Sequence, residues 1–139
     1  MTVILLRHGR STANTALTLA GRTPGIELDQ TGHAQAAALR GRLDGLPVEA
    51  VVRSPLMRCR QTVEPLAAAL GIDPVVDERL VEVDYGSWTG RPLKELTGEK
   101  MWSVVQQHPS SAEFPGGESL AVMAARSVDA IRHHDRRLA

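Results

Sequence analysis

Residues 3–6 read Val-Ile-Leu-Leu and run without a polar break into Arg7, His8 and Gly9. A strand with one wet face alternates, whereas an unbroken apolar run suits a parallel strand covered on both faces. Helical patterns follow. Ala36, Leu39, Leu43 and Leu46 recur at helical spacing after Thr31, and Gly45 and Pro47 close that segment. Residues 50–52 predict a second short buried strand. In SPLMRCRQTVEPLAAALG, Ser54 suits an N-cap and Pro55 the first helical position, with Leu56, Cys59, Val63, Leu66 and Leu70 as the buried stripe. Pro65 predicts a kink or an irregular turn there. Val81, Val83 and Tyr85 alternate with Glu82 and Asp84, an extended segment with one buried face. After a loop over 108–119, Leu120, Met123, Ala124, Val128 and Ile131 trace a last helix opening near Ser119. Strands separated by helices argue for an α/β layer structure with a mostly parallel sheet.

The chain of 139 residues fits one domain with a real core. Lys plus Arg equals Asp plus Glu at 16 each, so no global field favours nucleic acid or an anionic membrane, and any anion binding is local. The single cysteine, Cys59, excludes an internal disulfide and a cysteine-only zinc site and suits a reducing cytoplasm. The N-terminal apolar run is too short for a signal peptide, and no stretch approaches a membrane span. Dimerisation through an edge strand or helix is open to such a fold, and no residue specifies it.

In parallel sheets functional groups stand just past the carboxyl ends of strands. Arg7 and His8 lie there, and Gly9 lets the backbone turn and bring amides close to whatever His8 faces. A histidine that attacks phosphorus needs one neutral ring nitrogen free and the other held as a donor. Nearby guanidinium groups favour that neutral form, and their planar forks grip the oxygens of a transferring phosphoryl group. Arg7 is one such fork. Arg58 is the other, in the first turn of the Ser54 helix, where free amides and the helix dipole already favour an anion. A helical arginine is ordinarily solvated, a reading that suits Arg60 better.

Glu82 is by default a solvated strand-face residue. As a catalyst it donates a proton to the departing oxygen, which requires burial or nearby negative charge, from Asp84 or the phosphate itself, to keep the carboxyl protonated. Asn14 either donates an amide hydrogen bond to phosphate or stabilises a turn. Gly116 and Gly117 permit close approach to a ligand, although capping around Ser119 explains most of that stretch. Arg22, the loop over 85–88 and the residues before Pro109 form the expected specificity wall. His33, His108, His133 and His134 have no metal-like partners at useful spacing and read as surface residues.

Taken together, these segments resemble the histidine phosphatase superfamily, which includes the cofactor-dependent phosphoglycerate mutases and many phosphomonoesterases. RHGRSTAN is similar to its signature through Arg7, His8, Gly9, Ser11 and Asn14. LAGRTPGIELDQTGHAQA resembles the next block through Gly21, Leu28, Gly32, Gln35 and Ala36, with Gly21 and Arg22 on the substrate side. SPLMRCRQT matches on Ser54, Leu56, Arg58, Gln61 and Thr62, and LVEVDYGSWTG on Leu80, Glu82, Gly86, Trp88 and Gly90. FPGGES resembles the later loop. The resemblance implies a three-layer α/β/α fold and neither metal nor cofactor. It implies His8 as phosphate acceptor, Arg7 and Arg58 as phosphate ligands, Asn14 as a supporting contact and Glu82 as proton donor. The implied partner is a small phosphorylated substrate.

One departure stands out. Family members carry a second catalytic histidine, followed by glycine, at the end of a later apolar strand, and no histidine here is followed by glycine. The family's last strand and closing helix are absent as well. The expectation is that residues 1–139 are the N-terminal portion of one domain in a longer chain, with a natural half-site as the alternative. Three functions follow from these motifs: a phosphatase, a phosphoglycerate mutase, or a catalytically silent phosphate-binding module. The mutases of the family carry an adjacent arginine pair after the Glu82 block. Here Arg91, Lys94 and Lys100 stand apart from one another, which favours the phosphatase.

Overall fold

A short extended stretch ends at Ser11, whose side chain accepts from the Asn14 amide and opens a one-turn helix α1, Thr12–Thr15. Asp29 does the same for α2, Gln30–Arg42, accepting from the Gly32 amide. In the computed structural model, which describes residues 2–138, two short strands follow: β1, Val52–Arg53, and β2, Val75–Val76. They pair in parallel, Val52 opposite Val75 and Arg53 opposite Val76. Their crossover is α3, Met57–Leu70, which packs on α2 and ends at Gly71 with φ of 67°. The second half holds α4, Leu93–Leu96, α5, Lys100–Gln107, and α6, Leu120–Leu138.

α3 opens two residues later than Pro55, because Leu56 is still extended and the Ser54 hydroxyl accepts from the Leu56 amide at 3.4 Å. Pro65 lies inside α3 without ending it. Residues 3–6 depart further from expectation. Val3, Ile4, Leu5 and Leu6 are 46%, 48%, 77% and 43% exposed, and among the described residues they belong to no strand. The run has a sheet-interior composition, but no described backbone pairs alongside it; the ladder belongs to β1 and β2.

The main core lies in the second half. Val83, Trp88, Leu96 and Phe114 are buried together, with Tyr85, Met101, Trp102 and Leu120 packed against them. The Phe114 ring meets Tyr85 and Trp88 edge-on at 4.8 and 5.3 Å between centroids, so every Phe, Tyr and Trp of the chain contributes here. The 81–85 segment buries Val83, as its alternation predicts, but it joins no sheet; it is extended at Val81 and has turned into the helical region by Tyr85.

The apolar stripe expected on α6 is only partly covered: Leu120 and Met123 pack against the main core and Ile131 is half-buried, while Ala124 and Val128 are exposed. Only Ala130 is buried, and Val128 is 43% exposed. Polar contacts hold the rest of the helix. Arg79 Nη2 donates to Asp77 at 2.7 Å and Arg79 Nη1 to Asp129 at 2.6 Å, while His134 Nε2 lies 2.8 Å from Asp77 Oδ2. His134 is therefore a docking residue and not the surface group its sequence context suggests.

The hydrogen bond from Arg79, ahead of those from the Arg79 amide and His134, holds the Asp77 carboxyl well below the usual carboxylate range. A depressed folded-state value stabilises the fold above the unfolded value, about pH 4, and that stabilisation is lost as pH falls. Asp77→Asn is expected to lower stability by about 1–3 kcal/mol at pH 7 and to flatten the acid limb of a stability–pH curve measured by urea denaturation.

Candidate active site

The turn after residue 6 is stitched to α3. The Gly9 amide donates to the Thr62 hydroxyl at 3.0 Å, and that hydroxyl donates to the Arg58 carbonyl at 2.7 Å. The turn also lies flat against the start of α2. A Cβ at Gly9 would stand 2.8 Å from the Gly32 carbonyl oxygen, and one at Gly32 would stand 2.1 Å from the Arg10 oxygen. Only hydrogen fits between these backbones.

His8, half-buried, lies on this turn with Nδ1 2.7 Å from the Gly9 carbonyl oxygen. That acceptor assigns the proton to Nδ1 and leaves the Nε2 lone pair free to face Arg58, whose Nε donates to it at 3.3 Å. The His8 pKa is lowered from the usual 6.5. Burial is the largest cause, and the Arg58 and Arg7 charges act with it against the Gly9 carbonyl and the Glu82 charge. The ring is therefore held in its neutral form.

Arg58 is 2% exposed, the reverse of the solvated position expected of a helical arginine, whereas Arg60 is exposed. Its Nη2 donates to the Gly21 carbonyl at 3.0 Å and stands 3.8 Å from Glu82 Oε2. Glu82 Oε1 accepts from the Val83 amide at 2.9 Å. His8, Arg58 and Glu82, distant in sequence, thus meet around one buried guanidinium. Asp84 accepts from the Gly86 amide at 2.9 Å and stands 3.9 Å from Arg22 Nη1. Arg7 is exposed and, among the described residues, has no hydrogen-bond or ion-pair partner.

The other expected site residues have structural duties. The Asn14 side-chain oxygen accepts from the Ser11 amide and hydroxyl at 2.9 and 3.0 Å, which is the turn-stabilising reading. Gly21, at φ of 51°, lends its carbonyl to Arg58 and packs against the Tyr85 ring. Arg22 braces the loop from behind, donating to the Glu82 carbonyl at 2.8 Å and to Glu118 Oε1 at 3.0 Å. Gly116 turns the chain at φ of 71°. The close approach at Gly117 is to another loop and not to a ligand, since a Cβ there would stand 2.1 Å from the Asp84 oxygen.

Two residues not singled out from the sequence join this group. Glu118 accepts from the Asp84 amide at 3.0 Å, and Arg126 donates to the carbonyls of Arg79 and Val81, both at 2.7 Å, and of Glu82 at 3.2 Å. The signal was a cation on the same helical stripe as Met123 and Ala130. Among the described residues no three His, Cys, Asp or Glu side chains gather as a metal site would require, and no helix is long and apolar enough to cross a membrane.

Residues 3–139 match the family described as the histidine phosphatase superfamily (branch 1). Phosphoserine phosphatase 1 of Hydrogenobacter thermophilus is 31% identical over 127 residues, 86% of this chain and 57% of that protein. A probable phosphoglycerate mutase GpmB of Erwinia tasmaniensis is 33% identical over 131 residues, 93% of this chain and 60% of that protein. A mycobacterial glucosyl-3-phosphoglycerate phosphatase, solved in complex with VO3, superposes with a TM-score of 0.84 at 28% identity, covering 92% of this chain and 64% of that one. The chain thus spans less than two thirds of the length of each. The likeness establishes the three-layer α/β/α fold, of which β1 and β2 are the parallel strands formed here.

Proposed function

Because the chain belongs to the histidine phosphatase superfamily, we propose that it acts on a small phosphate monoester as a phosphatase through a phosphohistidine on His8. The observation that carries this reading is the lone pair of His8 Nε2, directed at a buried Arg58 Nε 3.3 Å away. A phosphoryl oxygen entering between them takes over the Arg58 donor and brings phosphorus in line with the lone pair. The N–P bond forms as the ester P–O bond breaks, and the leaving oxygen takes its proton from Glu82. Water then attacks phosphorus, the N–P bond breaks, the water's proton returns to Glu82 and orthophosphate leaves.

Arg58 is preorganised for the charge that develops on the transferring group, because Gly21 and the α3 helix fix it before substrate arrives. Arg7, exposed beside His8, adds the second fork from the solvent side, and Asn14, whose Oδ1 is taken by Ser11, keeps its Nδ2 as the supporting donor. The phosphoryl-sized VO3 in the mycobacterial neighbour and the phosphate monoesters in the relatives' names support this substrate class. A reducing cytoplasm is proposed from the single Cys59.

Mutase chemistry is disfavoured by the cations after the Glu82 block. Arg91 is already committed to Glu99 at 2.7 Å and Glu95 at 3.7 Å, which leaves no paired arginines for a substrate carboxylate. The test is release of phosphate from p-nitrophenyl phosphate. His8→Ala is expected to reduce turnover at least ~10³-fold, as loss of a nucleophile does. Undiminished turnover in that variant excludes the mechanism. Orthophosphate binding without turnover in the wild-type chain makes it a silent binding module.

A further inference from the structure

The mechanism makes no use of Arg126, which is a heavily bonded cation. From α6 its Nη1 donates to the Arg79 and Val81 carbonyls, and its Nη2 to the Glu82 carbonyl and to Glu118 Oε1. Its Nε donates to Glu118 Oε2 at 3.2 Å. Glu118 in turn accepts from the Asp84 amide and from Arg22, and Arg22 returns to the Glu82 carbonyl. The ion pair is largely shielded, with Arg126 and Glu118 side chains 18% and 15% exposed. The hydrogen bond from Arg126, ahead of that from the Asp84 amide and the charges of Arg126 and Arg22, also brings the Glu118 carboxyl below its ordinary range, so it stays an anion beside both arginines.

What this network grips is backbone. The 81–85 segment joins no sheet, so it has no ladder to hold it. Charge-assisted bonds to the carbonyls at 79, 81 and 82 and to the amide at 84 take the place of a neighbouring strand. They fix the peptide on either side of Glu82, and thereby set its carboxyl over the Val83 amide and toward Arg58. We infer that Arg126 and Glu118 are positioning residues for proton donation by Glu82. Neither touches the reacting atoms, and the inference rests on Glu82 being the donor.

A clamp that merely docked α6 would affect all substrates alike. A clamp that positions an acid matters most when the leaving group needs its proton. An alkyl phosphate leaves as a strongly basic alkoxide, whereas p-nitrophenolate departs with little help. Arg126→Met is therefore expected to lower kcat/KM, which reports the step that expels the leaving group, by about 10- to 100-fold for an alkyl phosphate and far less for p-nitrophenyl phosphate. In a Glu82→Gln background the same substitution should add less than about twofold to the alkyl defect.

An NMR pH titration reads the same clamp without turnover. The Val83 amide proton bonds to Glu82 Oε1, so its shift follows ionisation of that carboxyl. Its response should fall by roughly half or more in Arg126→Met, as a hydrogen bond loses alignment, while the Gly9 amide on the Thr62 hydroxyl stays unchanged. Glu118→Gln is expected to show the same pattern more weakly, and it decides the matter if Arg126→Met fails to fold. Equal losses on both substrates, or an unaltered Val83 response, overturn the inference. If the wild-type chain hydrolyses neither substrate, the phosphatase reading fails and the Val83 response alone judges the clamp.

Discussion

Arg58→Met lowers kcat/KM for a phosphate monoester by about 10²- to 10³-fold, the usual cost of removing a preorganised donor to a developing oxyanion. The substitution is close in volume to the arginine stem, so the loss isolates the guanidinium. Three groups lose it together: His8 Nε2, the Gly21 carbonyl and Glu82. The buried Gly21 carbonyl is left without that donor, which costs about 1–3 kcal/mol of stability.

The pH profile should move as well. The Arg58 charge depresses the His8 pKa, so its removal raises that value toward the ordinary 6.5. Since the nucleophile must be neutral, the acid limb of kcat/KM shifts to higher pH in the variant. Burial still depresses the value, so the shift is partial. Arg58→Lys restores the charge but cannot bridge His8 and Gly21 as the planar fork does, and it should recover the pH profile better than the rate.

The second large effect is structural. Gly86→Ala and Gly117→Ala should each lower the free energy of unfolding by about 2–4 kcal/mol in urea titrations, in the range of strained or overpacked sites. Gly86 has φ of 52°, and its Cβ would stand 2.1 Å from the Pro115 oxygen and 2.5 Å from the Gly117 nitrogen. The Gly117 Cβ would stand 2.1 Å from the Asp84 oxygen and 2.7 Å from the Gly86 nitrogen. Every clash is with backbone, so no side chain can swing aside.

Relief requires the loops to separate, which breaks the bonds from the Ser87 amide to Pro115 and from the Glu118 amide to Asp84. Gly71→Ala is the control. Its φ is 67°, but a Cβ there meets nothing within 4 Å, so only the backbone strain of about 1 kcal/mol applies. Equal losses at all three sites would show that the loops do not interlock.

Helices were the legible part of this chain, because α2 and α3 carry their own signal in apolar spacing, although Ser54 does not cap α3 as its position suggests. The placement of residues 3–6 was not legible. Their composition specifies burial, but burial needs a neighbouring backbone, and sequence pattern does not say whether one is present. The same holds in part for α6, whose apolar stripe reaches the core at Leu120 and Met123 while ionic contacts hold the remainder. Around the site, His8, Arg58 and Glu82 were readable one by one from the chemistry of their residue types. Their meeting depends on a buried arginine, and a solvated and a buried arginine look alike in a helical pattern. Arg126 and Glu118 escaped notice because their partners are main-chain carbonyls and amides, which every residue carries.

Trapping the covalent intermediate tests the central claim most directly. The chain, incubated briefly with a labelled phosphate monoester and quenched in alkali, should gain the mass of one phosphoryl group. Peptide mapping should place it on His8, acid should remove it, and His8→Ala should abolish it. Label on His133, His134 or any other residue, or steady hydrolysis with no label on His8, would contradict an imidazole nucleophile facing Arg58.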